Sequence, residues 1–243
     1  MTTKDDVLTL LSRTIGRLRR IETPRRNKGA RIVHPLRVFD AALAFLDELP
    51  NLPCQNELIR ATWCRDALLF AWLAMRPIRL RNIADIRIGE HITKDGDGYI
   101  CRFAAEETKE HRSLEFRLPD SLTPYLDCYI ETHRRQLLGD RESSDLWVTV
   151  RRGRMTDHTI YWSVCKISKR LLEVQINPHL LRDCVVTWFA TDDPAHLHAA
   201  ARILGHATLK TTGASYNQAQ MLAAVRDHQK AILDILSEAM EQP

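Results

Sequence analysis

The chain has 243 residues, 44% of them apolar and 27% charged, a balance that places it among globular proteins and excludes intrinsic disorder. Only nine glycines count against glycine-rich nucleotide loops and against a turn-dense all-β fold, and no apolar run approaches the roughly 20 residues of a membrane span. The net charge of +4 is unevenly spread: residues 1–37 hold ten Lys/Arg against three Asp/Glu, leaving 25 against 28 for the rest. A basic leading arm on a near-neutral body suggests a polyanionic partner such as nucleic acid. Six scattered cysteines without a CxxC pair give neither a zinc ribbon nor a redox motif, and read as small buried hydrophobes. The acidic, weakly apolar N-terminus does not read as a signal peptide, so a cytoplasmic chain is expected.

Residues 5–20 place acids first and arginines last, as a helix dipole favours, and residues 21–31 (IETPRRNKGAR) read as a linker. A helix is predicted from Pro35 through VFDAALAFLDEL. A second, over residues 57–75, is apolar nearly all round and should lie deep in the core. It should stop at Met75 or Arg76, because the residue before proline is pushed out of the α region. Pro77 could then open the next helix, with Arg79 in its first turn. Residues 90–119 change texture: HITKDGDGYICRF and HRSLEFRLP predict a small antiparallel hairpin sheet, with residues 106–110 in its connection.

Helical periodicity then resumes. Leu122, Leu126, Ile130 and Leu137 form one stripe, and Ile160, Val164, Ile167 and Leu171 another. NPHLLRDCVVTWF puts His179 and Arg182 three apart, on one helix face. Asp193-Pro194 reads as the start of a helix closed by Gly205, and Leu222, Val225, Ile232, Leu236 and Met240 as a final amphipathic helix. Trp72, Trp162 and Trp188 are expected in the core. His196 and His198, two apart on a helix, point different ways and are not read as a metal pair. The expected fold is mainly α with a small antiparallel β-sheet (α+β).

MRPIRLRNIADIRI, AAEETKEHRSLEFRLP, NPHLLRDC and ILGHATLKTTGASYNQA, in that order, resemble the catalytic domain of the tyrosine recombinase (phage integrase) family over about residues 35–240. That family carries an arginine box, a hairpin lysine, His-x-x-Arg, Leu-Gly-His and a nucleophilic tyrosine before a C-terminal helix. Carried over residue by residue, the resemblance implies Arg79 and Arg182 as phosphate-clamping guanidiniums and Lys109 as general acid. It implies His179 as base, His206 as donor to a phosphate oxygen, and Tyr216 as nucleophile. Arg76 competes with Arg79, but it precedes proline and lacks the downstream register. Asn82 stands where the family often has Glu, and the Leu-Gly-His to tyrosine spacing is one residue longer than usual.

The resemblance further implies a site-specific recombinase or integrase acting on double-stranded DNA through a 3′-phosphotyrosine, with no metal, cofactor or ATP. Self-association is expected, as a tetramer on DNA with the C-terminal helix exchanged between protomers, and nucleoid association when DNA-bound. Residues 1–34 read as a basic helix and linker, a possible remnant of a core-binding domain, and residues 35–243 as the catalytic domain, suspected to be part of a longer integrase. Two alternatives stand beside this: a non-catalytic or truncated DNA-binding relative, and a type IB topoisomerase-like relaxing enzyme.

Overall fold

The computed structural model of the chain describes residues 31–109, 111–150 and 153–192. The expected helices over residues 5–20, 194–205 and 222–240 therefore lie outside the described residues, as do His196, His198, His206 and Tyr216. Helix α1 (Pro35–Glu48) begins with proline in its first turn, and the His34 side chain accepts the Leu36 N–H at 3.2 Å. It buries Val38, Phe39, Ala42 and Leu46 and packs along α2 (Glu57–Met75). Asn56 caps α2 by accepting the Ile59 N–H at 3.0 Å.

Every residue of α2 from Cys64 to Ala74 is buried, as its nearly all-round apolar character requires. Two of them are charged. Arg65 donates to Asp66 Oδ1 from Nε at 2.9 Å and from Nη2 at 2.7 Å, while its Nη1 donates to the Val148 carbonyl at 2.8 Å. The pair is thus satisfied where it is desolvated.

Helix α2 ends before Pro77 as predicted, but Pro77 does not open the next helix. Helix α3 (Leu80–Ala84) starts three residues later, and Arg79 is its N-cap residue in extended conformation (φ −65°, ψ 146°). Strands β1 (Ile92–Asp95), β2 (Gly98–Phe103) and β3 (Leu114–Arg117) follow as an antiparallel sheet in chain order. The register pairs Asp95 with Gly98, Cys101 with both Ile92 and Phe116, and Phe103 with Leu114. Gly96, at φ +58°, supplies the left-handed residue that the tight β1–β2 turn needs. Alternation puts Ile92, Cys101, Phe103 and Phe116 on the buried face.

Helix α4 (Thr123–Cys128) continues through a π-helical turn (Tyr129–His133) into α5 (Arg134–Leu138). That turn displaces the predicted stripe by one residue: Tyr129 is fully buried, while Ile130 is only half-buried. The Tyr129 ring stacks on Trp147 (5.6 Å, 27°), and its hydroxyl donates to the Leu146 carbonyl at 3.0 Å. Trp147 in turn meets Trp72 of α2 edge-on at 5.8 Å. A two-residue-strand hairpin, β4 (Val148–Thr149) and β5 (Gly153–Arg154), was not legible in the sequence.

Thr156 caps α6 (Asp157–Leu172), which buries Ile160, Val164 and Ile167 as expected and closes on Leu172 rather than Leu171. Its partner α7 (Pro178–Asp192) starts at an Asn-Pro cap in which Asn177 Oδ1 accepts the Leu180 N–H at 2.9 Å. Buried Ser168 accepts the Ile176 N–H at 2.9 Å, fixing the chain between the two helices.

Some single-residue expectations change. Trp72 is in the core, but Trp162 is 46% exposed: it lies off the buried stripe of α6, and its indole N–H donates to His158 Nε2 at 3.0 Å. Cys64, Cys101, Cys165 and Cys184 are buried, whereas Cys54 is half-buried and Cys128 exposed. Among the described residues no helix is long and apolar enough to cross a membrane. The architecture is mainly helical with small antiparallel sheets.

Candidate active site

Of the six candidate residues, Arg79, Lys109, His179 and Arg182 are described, and the ties between their segments explain the late start of α3. Arg182 is half-buried on the first turns of α7, and its Nη1 donates to the carbonyl of Pro77. A proline opening a helix would turn that carbonyl along the helix axis toward residue 81. Here it faces Arg182 instead, and residues 77–79 stay extended or irregular. A long-range hydrogen bond from a charged donor outweighs local helix preference. The consequence is that the segment carrying Arg79 is pinned to the helix carrying His179 and Arg182. His179, in the first turn of α7, is exposed.

Arg76 belongs elsewhere. Its guanidinium lies 4.6 Å from the centroid of the Phe116 ring, and burial lowers its pKa. It serves packing between α2 and the sheet.

Lys109 is exposed on the connection between β2 and β3, in the span expected for it. That connection is held from three sides. Asn82, on α3 and 6% exposed, donates its Nδ2–H to the Glu107 carbonyl at 3.0 Å. The Thr108 hydroxyl donates to the Arg112 carbonyl (2.7 Å) and accepts the Arg112 N–H (3.0 Å), closing the loop that contains Lys109. His111 takes the left-handed conformation there (φ +50°).

The third tie is through the Glu107 carboxylate. One oxygen accepts the Ala104 N–H at 2.7 Å, and the other accepts from His91 Nε2 at 2.8 Å. His91 is 2% exposed, its Nδ1 accepts the Arg87 N–H at 3.0 Å, and its ring stacks on Phe103 at 5.1 Å. Because Nδ1 accepts, the proton of a neutral His91 sits on Nε2 and points at Glu107. The His91 bond, then the Ala104 N–H, hold the Glu107 carboxyl below the usual carboxylate range.

Glu90, His91 and Glu107 have ligand-type atoms within 4.8 Å of one another, the spacing of a metal-binding group. Both His91 nitrogens are already committed, so the ring offers no lone pair to an ion without losing one of these bonds.

The arginine box, the lysine loop and the His-x-x-Arg helix are thus joined by two bonds to main-chain carbonyls, at Pro77 and Glu107. Sequence reasoning did not find His91, Glu107 or Thr108. The acids sit in a charged loop that reads as solvated, and no spacing ties His91 to them. In the sequence Asn82 reads only as a departure from a family pattern.

A family model described as the phage integrase family matches residues 46–222. With most of its length inside that match, and with a mainly helical fold around a small antiparallel sheet, the chain belongs to the phage integrase (tyrosine recombinase) family. The tyrosine recombinase XerD of Staphylococcus saprophyticus subsp. saprophyticus is 27% identical over 194 residues, which are 79% of this chain and 60% of that protein. Among solved structures, the XerH site-specific recombinase bound to palindromic difH substrate, a post-cleavage complex, superposes with a TM-score of 0.54 at 18% identity. That match covers 79% of this chain and 52% of XerH. The XerA recombinase gives a TM-score of 0.54 at 16% identity, over 84% of this chain and 66% of XerA. These two are likenesses of fold. The chain spans about three-fifths of the length of its curated relative.

Proposed function

We propose that the protein is a site-specific DNA recombinase that cuts and rejoins duplex DNA through a 3′-phosphotyrosine at Tyr216. The observation that carries the reading is the joining of the Arg79, Lys109 and His179–Arg182 segments through the Pro77 and Glu107 carbonyls. Three segments far apart in sequence are tied by these bonds, and three of the four candidate side chains they carry are permanently or readily cationic. That supports a reading in which they meet a phosphodiester with developing negative charge.

In the cleavage step the Tyr216 oxygen attacks phosphorus and its proton passes to His179. The bond from phosphorus to the 5′-oxygen breaks, and that oxygen takes a proton from Lys109. Arg79 and Arg182 neutralise the non-bridging oxygens, which planar bidentate guanidiniums suit better than ammonium groups. His206 donates to one of the same oxygens. Rejoining is the reverse with a different 5′-hydroxyl, so the phosphodiester energy is conserved without ATP. A binding partner in duplex DNA is supported by the XerH structures, which are complexes with difH substrate. Self-association as a tetramer exchanging the C-terminal helix is part of the same reading.

The test uses a duplex selected from a random library by the protein itself and nicked beside the scissile phosphate, so that the cut strand diffuses away. The wild-type chain should form a covalent adduct on a denaturing gel. Tyr216→Phe should form none while binding the duplex as before. An adduct that persists in Tyr216→Phe removes the nucleophile assignment. Relaxation of DNA by monomers, without dependence on site, would move the reading to a topoisomerase.

A further inference from the structure

We propose that His91 is a positioning residue for Lys109, acting through Glu107: the buried imidazole sets the carboxylate, and the carboxylate sets the loop that aims the lysine at the departing 5′-oxygen. This rests on the reading of Lys109 as general acid. Glu107 is gripped at both ends, its carboxylate by His91 and the Ala104 N–H, its carbonyl by Asn82. Lys109, two residues on, is exposed, so its aim depends on the backbone beneath it rather than on packing of its own side chain.

A histidine so buried has several simpler uses. As a core residue it would need only an acceptor for its buried N–H, whereas the acceptor here is a carboxylate that also takes the Ala104 N–H at the head of the lysine loop. As a metal ligand it would need a free nitrogen, and both are engaged. What the arrangement supplies is orientation. The Arg87 N–H selects the Nε2–H tautomer, the Phe103 ring restricts the imidazole plane, and the N–H then points at one carboxylate oxygen. The 3₁₀ turn Ala105–Glu107 starts from this carboxylate, whose second oxygen takes the N–H of Ala104, so displacing Glu107 unwinds the turn leading into Thr108 and Lys109.

Leaving-group chemistry separates positioning of an acid from general support of the fold. An alkoxide leaving from phosphorus needs a proton. A thiolate, a far weaker base than an alkoxide, leaves without one. The experiment measures single-turnover cleavage by the full chain of two nicked duplexes of the selected sequence. They differ only in oxygen or sulfur at the 5′-bridging position. Lys109→Ala, His91→Leu and Glu107→Gln are compared with the wild type. Glu107 is partly exposed, so Glu107→Gln tests the idea even if His91→Leu does not fold.

We expect Lys109→Ala to slow the oxygen duplex by about 100-fold or more, and His91→Leu and Glu107→Gln by about 10-fold or more, within the range a general acid supplies. On the sulfur duplex all three should cleave at close to the wild-type rate. If Lys109→Ala recovers on sulfur and the His91 and Glu107 variants remain slow on it, the pair supports the fold generally and the positioning role is overturned. The role is overturned equally if those two variants cleave the oxygen duplex at the wild-type rate. A Lys109→Ala variant that stays slow on sulfur removes the acid assignment itself, and this inference with it.

Discussion

Asn82 holds its side-chain amide against a main-chain carbonyl 25 residues away, at a position 6% exposed to solvent. Asn82→Ala should remove the bond to the part-buried Glu107 carbonyl and lower stability by about 0.5–1.5 kcal/mol, the net contribution of a typical hydrogen bond. Asn82→Asp should be worse than Asn82→Ala despite its closer shape, because a carboxylate cannot donate to a carbonyl and repels it. Urea denaturation of the three chains orders them. A ranking with Asp above Ala would mean that the amide bond contributes little. The same residue marks a limit of reading sequence: a family comparison flags it as an unusual occupant, but the bond it makes is to backbone and has no signature in residue type. The bond from Arg182 to Pro77 is hidden for the same reason.

At the scale of elements, ends and periodicities are written locally and were legible. Helix α2 runs over Glu57–Met75 because Asn56 caps one end and Pro77 forbids continuation at the other. The β1–β2 hairpin follows from its Asp-Gly turn chemistry. What failed to be legible was decided by contacts distant in sequence. The π-helical turn at Tyr129–His133 rotates a tyrosine onto Trp147, and the start of α3 yields to Arg182. The charged pair inside α2 is another case, since neither Arg65 nor Asp66 breaks the apolar texture enough to be noticed. Asp66→Ala removes the partner of an arginine only 5% exposed and should cost about 3–5 kcal/mol, read from the shift of a denaturant midpoint at constant slope. Arg65 retains its bond to the Val148 carbonyl, so a loss below about 1 kcal/mol would show that bond to be sufficient on its own.

For the whole molecule, charge rather than packing sets the expectation. Ten of the 35 Lys/Arg fall in the first 37 residues. If they lie on phosphates, deleting residues 1–30 should weaken DNA binding and flatten its dependence on salt. The slope of log K against log salt should fall by about 0.9 for each phosphate that the shortened chain no longer neutralises. Fluorescence anisotropy at several salt concentrations measures it, and an unchanged slope would assign the arm no role in binding. The candidate site reads in the sequence as an ordered set of short motifs, each weak alone. The ties among α3, the β2–β3 connection and α7 have no counterpart in those motifs, because they end on main-chain carbonyls.

Those ties have a consequence for the history of the chain. An acceptor supplied by the backbone carries no side-chain identity, so neither the bond from Arg182 nor that from Asn82 asks for a particular acceptor group at position 77 or 107. Neither bond therefore matches residue types at its two ends, and the two bonds by themselves would leave no correlated substitutions between 77 and 182 or between 107 and 82. The pair formed by His91 and Glu107 is different, since both ends are side chains: loss of one removes the reason to keep the other, and the two positions should change together.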